Sequence, residues 1–235
     1  MQNPKILIIA LVAGTIPALI WLWFWLKQDK EEPEPKGLLF LTFILGMVAV
    51  ALVLPLEKWA NANITDKNYL TVIWAMLEEI MKYLAVAVIA LKSSSLDEPV
   101  DYPIYFITAA LGFAALENTM FLIKPILLNE TTVSLITGNL RFLGATLLHS
   151  SSSALIGISL GLAFYYKKVY VKRIYLFCGI IAAISLHSIF NFFIMNNNKG
   201  NLINIFSFLW VITIIIMLLF EKLRRMDPDL RIRVR

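Results

Sequence analysis

Charge is scarce in this chain. Charged residues fill 16% of its 235 positions and hydrophobic residues 59%. Soluble domains run near half apolar and about a quarter charged, so an ordinary soluble fold is excluded. Cysteine is scarcer still. The single Cys178 rules out an intramolecular disulfide, has no metal-ligand spacing around it, and reads as a small packing residue in an apolar run. Histidine occurs twice, at His149 and His187. No His-Glu-x-x-His helix is present, so the commonest zinc-protease signature is missing. There is also no internal repeat, no pair of Gly/Pro-broken spans of the kind secondary transporters carry, and no linker that could hold a second domain.

What fills the chain instead is seven apolar runs, at 6–26, 37–56, 69–91, 103–123, 140–165, 174–195 and 202–220. About 20 apolar residues span the hydrocarbon core as a helix, whereas barrel strands are about ten residues with strict alternation. The pattern predicts an all-α, polytopic membrane bundle of about seven spans, with residues 1–235 forming one domain. The first run is long and lacks a cleavage-like small-residue site, so it reads as a span and not as a signal peptide. Lys and Arg outside the runs divide fourteen to five if loops one, three and five and the C-terminal tail share a side. The positive-inside rule then places the N-terminus outside and the C-terminus in the cytoplasm. The basic tail from Lys222 to Arg235 reads as a topology determinant at lipid headgroups, with the bilayer and no nucleic acid as its partner. The aromatic cluster Trp21-Leu22-Trp23-Phe24-Trp25 suits a membrane–water interface, and the proline-bearing 27–36 stretch a solvated loop.

Against this background the third run is anomalous, because it holds Glu78, Glu79 and Lys82 in one helical turn. An ionised group at the centre of a span costs about 2.5–3.5 kcal/mol even on insertion scales, and marks a functional site by default. Both carboxylates lie three or four residues from Lys82, so all three can share a broad face. The carboxylates themselves point about 100° apart. One reading is a buried ion cluster that locks helix packing; the other is a base carboxylate beside one that Lys82 keeps ionised.

Further polar residues recur on the following runs. Glu117 follows Phe113 by one turn and precedes Asn118; Arg141 opens the fifth run; His149 precedes Ser153 by one turn within a run of four serines; His187 precedes Asn191 by one turn. The serines face all round their helix, which favours packing over a serine nucleophile. Counted along alternating spans at 1.5 Å per residue, Glu78, Glu117, His149, His187 and Asn191 all fall in the outer half of the membrane. Random polar placement would scatter them over both halves. Their common depth predicts one site.

Glu78-Glu79-x-x-Lys82, Phe113-x-x-x-Glu117-Asn118, His149-x-x-x-Ser153 and His187-x-x-x-Asn191, in this order on four successive spans, resemble the PrsW family of intramembrane proteases. That family sits in the wider superfamily of type II CAAX prenyl endopeptidases and bacteriocin-processing proteins. The acid- and proline-bearing stretch from Asp29 to Pro35 resembles the family's first loop. Glu117 stands where CAAX endopeptidases have histidine, which favours the PrsW branch. The resemblance implies peptide hydrolysis near the outer face of a bacterial or archaeal cell membrane, on a single-span substrate such as an anti-sigma factor. It implies catalytic roles for Glu78, Glu79, His149, His187 and Asn191, with Lys82, Phe113, Glu117, Asn118, Arg141 and Ser153 in support. Two chemistries stay open. In one, Glu78 is the general base of a metal-free site, His187 and Asn191 serve the oxyanion, and His149 and Glu117 orient water or substrate. In the other, zinc is held by a set drawn from His149, His187, Glu78 and Glu117. An ion- or proton-coupled transporter and a non-enzymatic scaffold or immunity protein are the rival classes.

Overall fold

The computed structural model describes residues 4–28, 33–195 and 202–226. Among them are eight α-helices: α1 Pro4–Leu26, α2 Lys36–Asn63, α3 Lys67–Ile89, α4 Asp101–Leu127, α5 Thr131–Leu140, α6 Thr146–Leu162, α7 Val169–Met195 and α8 Leu202–Arg224. No strand occurs among the described residues. Six helical stretches, including Leu135–Leu162, are long and apolar enough to cross a membrane. The remaining long helix, α3, is the one loaded with Glu78, Glu79 and Lys82.

Small residues decide what lies at the centre. α4 and α6 bury most of their surface, while α1 and α8 leave most of theirs open. At the α2–α4 crossing, a Cβ on Gly46 would collide with the Ala109 carbonyl, and one on Gly112 with the Phe43 carbonyl. The two backbones touch reciprocally, as small residues allow where lipid gives no hydrophobic drive for helix association. A Cβ on Gly157 of α6 would likewise meet the Pro103 backbone of α4 at 2.5 Å. Large apolar side chains such as Ile8, Phe177 and Leu218 point outward, as a lipid-facing shell requires.

Several elements differ from the sequence expectation, each for a local reason. α2 runs on through Asn63, so Glu57 is helical and not part of a loop. The turn after it is short because Asp66 caps α3, its Oδ1 accepting from Asn68 N at 2.8 Å and Tyr69 N at 3.1 Å. α5 begins nine residues before the apolar run and continues into α6 through a π-helical segment, Arg141–Ala145, with helical backbone angles at Leu140, Arg141, Ala145 and Thr146. Trp21 and Trp25 turn inward against Trp210 and Phe220. Only Trp23 of that cluster faces out, under the Lys27 ammonium. Glu34 is buried and accepts from the Tyr105 hydroxyl, so this part of the first loop is not solvated. Cys178 is exposed on α7 and packs no core. Asp29 to Glu32 and the tail beyond Met226 lie outside the described residues.

Candidate functional site

The third-run anomaly resolves into two carboxylates with opposite surroundings. Glu79 is fully buried and saturated. Its Oε1 accepts from Lys82 Nζ at 2.7 Å, Ser152 Oγ at 2.9 Å and His187 Nδ1 at 2.8 Å; its Oε2 accepts from Ser153 Oγ at 2.9 Å. Donors from α3, α6 and α7 therefore meet on one group. Glu78 lines an open cavity instead. Its Oε2 is buried with no hydrogen-bond partner among the described residues, and lies 3.6 Å from Lys82 Nζ, 3.7 Å from His149 Nδ1 and 3.8 Å from His187 Nε2. These separations exceed hydrogen-bond length, so the carboxylate oxygen faces the ammonium and both imidazoles without bonding to any of them.

Partner chemistry fixes the ring tautomers. Glu79 can only accept when ionised, so His187 donates from Nδ1, and a neutral ring then presents the Nε2 lone pair towards Glu78. Lys82 can only donate, so His149 Nδ1, 2.8 Å away, accepts from it. His149 Nε2 then donates to Glu117 Oε2 at 2.9 Å. Phe113 closes the apolar side, its ring 5.3 Å from the His149 ring and 4.5 Å from the Lys82 ammonium. The two imidazoles stand edge to face, 5.1 Å apart.

Arg141 ties the second tier together. Its Nη2 donates to Glu117 Oε2 at 2.5 Å, its Nε to Asn118 Oδ1 at 2.5 Å, and its guanidinium lies 3.9 Å over the Phe121 ring. Asn118 in turn donates to Thr146 Oγ1 at 2.9 Å. Arg141 opens the π-helical segment, and such widened turns are frequent at functional sites.

The sequence-derived residues thus meet, with one looser member. Glu78, Glu79, Lys82, Phe113, Glu117, Asn118, Arg141, His149, Ser153 and His187 form one connected cluster. Asn191 is half-buried on the cavity wall and has no hydrogen bond to that cluster among the described residues. Sequence reasoning missed Ser152, whose three-residue spacing from His149 was a usable signal. It also missed Glu57 and Trp74, both on the wall of the cavity. That cavity holds about 820 Å³ and is walled by the C-terminal parts of α2, α4 and α7 and by Leu140 to His149.

Whether the residues fit a metal can be judged from their donor atoms. Glu78, His149 and His187 offer ligand atoms all within 4.8 Å of one another. The orphaned Glu78 Oε2 and the open His187 Nε2 suit a cation, and the Glu79–His187 bond is the outer-shell contact that orients a ligating imidazole. His149 Nδ1 completes the set once Lys82 directs its ammonium wholly to Glu79. Glu117, engaged by Arg141 and His149, stands outside the set.

An apolar helical shell around a centre of carboxylates, imidazoles and an ammonium defines an integral membrane protein with a built polar site. More specifically, the chain belongs to a known family: residues 34–220 match the family described as "PrsW family intramembrane metalloprotease". It is 29% identical over 127 residues to "Protease PrsW" of Geobacillus kaustophilus (strain HTA426), a match covering 53% of this chain. The chain spans about half the length of that curated relative, 51% of it. No solved structure matches the chain.

Proposed function

We propose that this protein is an intramembrane endopeptidase that cleaves a single-span membrane protein near the outer face, with an anti-sigma factor as the kind of substrate. The carrying observation is the division of labour on α3: a saturated Glu79 beside a Glu78 whose free oxygen faces both imidazoles across a cavity. Family membership supports the same reading. In the proposed topology α3 is the seventh span, the N-terminus is outside and the C-terminus is cytoplasmic. The cavity then opens towards the outer leaflet of a bacterial or archaeal membrane.

Glu78 takes a proton from water as that water attacks the scissile carbonyl, and returns it to the leaving amine. Lys82 and Glu79 hold their helix turn so that Glu78 stays aimed at the cavity. His187, fixed through Nδ1, turns Nε2 to the same space, and Glu117 fixes His149. Asn191 is the side-chain amide placed to donate to the developing oxyanion. A metal would be held by Glu78, His149 and His187, where it would polarise the carbonyl and acidify bound water.

Co-expression with single-span reporters tests the proposal. Wild type should cleave one, and Glu78→Gln and His187→Ala should not while still accumulating in the membrane. Cleavage by both variants at the wild-type rate would overturn it. Chelation of the purified enzyme separates the two roles of Glu78: activity lost on chelation and restored by zinc makes it a metal ligand, and full activity after metal stripping leaves it the base of a metal-free site.

A further inference from the structure

Trp74 lies one helical turn before Glu78 on α3 and lines the same cavity. Its Nε1 is buried and has no acceptor among the described residues. Indole nitrogen can only donate, and a buried donor without an acceptor is costly wherever water does not reach it. Trp21 and Trp25 also have unpartnered Nε1 atoms, but they sit in aromatic packing with Trp210 and Phe220, away from the cavity. Trp74 is the orphan beside the reacting groups.

Most other donors around that space are committed. Lys82 serves Glu79 and His149, Arg141 serves Glu117 and Asn118, His149 serves Glu117, and His187 Nδ1 serves Glu79. A substrate helix must unwind before its peptide bond can be attacked, and each freed carbonyl at membrane depth then needs a donor. Resting on the protease reading, we propose that Trp74 Nε1 donates a hydrogen bond to a backbone carbonyl of the unwound substrate, positioning the scissile bond over Glu78. Four residues of helix separate Trp74 from Glu78 by about 6 Å along α3. An extended chain advances about 3.3 Å per residue, so the carbonyl belongs about two residues from the scissile bond. Trp74 is on this account a substrate-positioning residue that sets where along the unwound segment the cut falls.

The test uses the full-length enzyme and a single-span reporter that it cleaves, prepared with one peptide bond at a time replaced by an ester for four residues on each side of the cut. An ester carbonyl is a weaker acceptor than an amide. Wild type should lose about tenfold in kcat/KM at one position about two residues from the cut. Trp74→Phe, which keeps the ring and deletes the N–H, should be about tenfold slower on the all-amide reporter and insensitive to that ester. Trp74→His, which retains a ring N–H, should recover part of the rate. An ester profile identical in wild type and Trp74→Phe overturns the proposal while leaving the protease reading intact. Should Trp74→Phe fail to fold, a wild-type ester profile without a sensitive position overturns it equally. If the wild-type enzyme cleaves no reporter, the protease reading itself fails and this inference falls with it.

Discussion

Two adjacent glutamates on one helix have been given unlike tasks by what surrounds them. Glu79 binds donors from α3, α6 and α7, whereas Glu78 keeps an oxygen without a hydrogen-bond partner among the described residues. Removing one partner of a buried ion pair costs about 3–5 kcal/mol, because the other charge is left uncompensated. Glu79→Ala takes the nearest carboxylate from the fully buried Lys82 ammonium and the acceptor from Ser152, Ser153 and His187, and should lower the unfolding midpoint in detergent markedly. Glu78→Gln should leave that midpoint near wild type while lowering kcat by about a hundredfold or more, the scale of a lost general base. Thermal unfolding and reporter cleavage, measured on the same preparations, separate the two roles. The sequence carried the first half of this result. Spacing alone puts both carboxylates within reach of Lys82. It could not say which one faces the cavity, since that depends on where Ser152 and Ser153 stand on α6, and a run of four serines offers a hydroxyl in every direction.

At the scale of elements, the π-helical segment Arg141–Ala145 joins two tiers of the site. Arg141, at its start, reaches Glu117 and Asn118 on α4, while His149 and the serines lie beyond it on α6. Deleting Gly144 should restore regular helix there and rotate α5 by about 100° relative to α6, taking Arg141 off Glu117. The expected outcome is loss of cleavage with helix content unchanged, read by reporter assay and circular dichroism. The α2–α4 crossing makes a second case. Gly112→Val should destabilise the bundle by about 1–3 kcal/mol, because its Cβ would run into the Phe43 carbonyl; denaturant unfolding in micelles checks this. Both features were hidden in the sequence. Residues 129–139 include Asn129, Glu130, Thr131, Thr132, Ser134, Thr137 and Asn139, a polar stretch that reads as loop until its packing on α4 is known. Gly112 and Gly46 were visible as small residues, yet their pairing across two helices is a tertiary fact.

For the molecule as a whole, the common depth of the polar residues was the most legible property, because it needs only helical rise and alternating direction. One cavity gathers Glu78, Glu117, His149, His187 and Asn191 on its lining, with walls from one end of α2, α4 and α7. The proposed orientation makes that end extracytoplasmic. Alkaline phosphatase fused after Ile64, between α2 and α3, should be active, and fused after Arg225 inactive; the reverse pattern would invert the proposed topology. The inward turn of Trp21 and Trp25 was not legible, since an aromatic run at a span's end serves an interface and a core equally well.

The saturation of Glu79 also bears on how such a protein can change over generations. One carboxylate is held by side chains from three helices, and an aspartate there would be one methylene too short to keep all of them. Substitutions at Lys82, Ser152, Ser153 and His187 are therefore tied to a single atom pair, so drift at any one is constrained by the other three. Outward-facing side chains such as Ile8, Phe177 and Leu218 have no part in that bonding, so a substitution there leaves the carboxylate and its donors untouched.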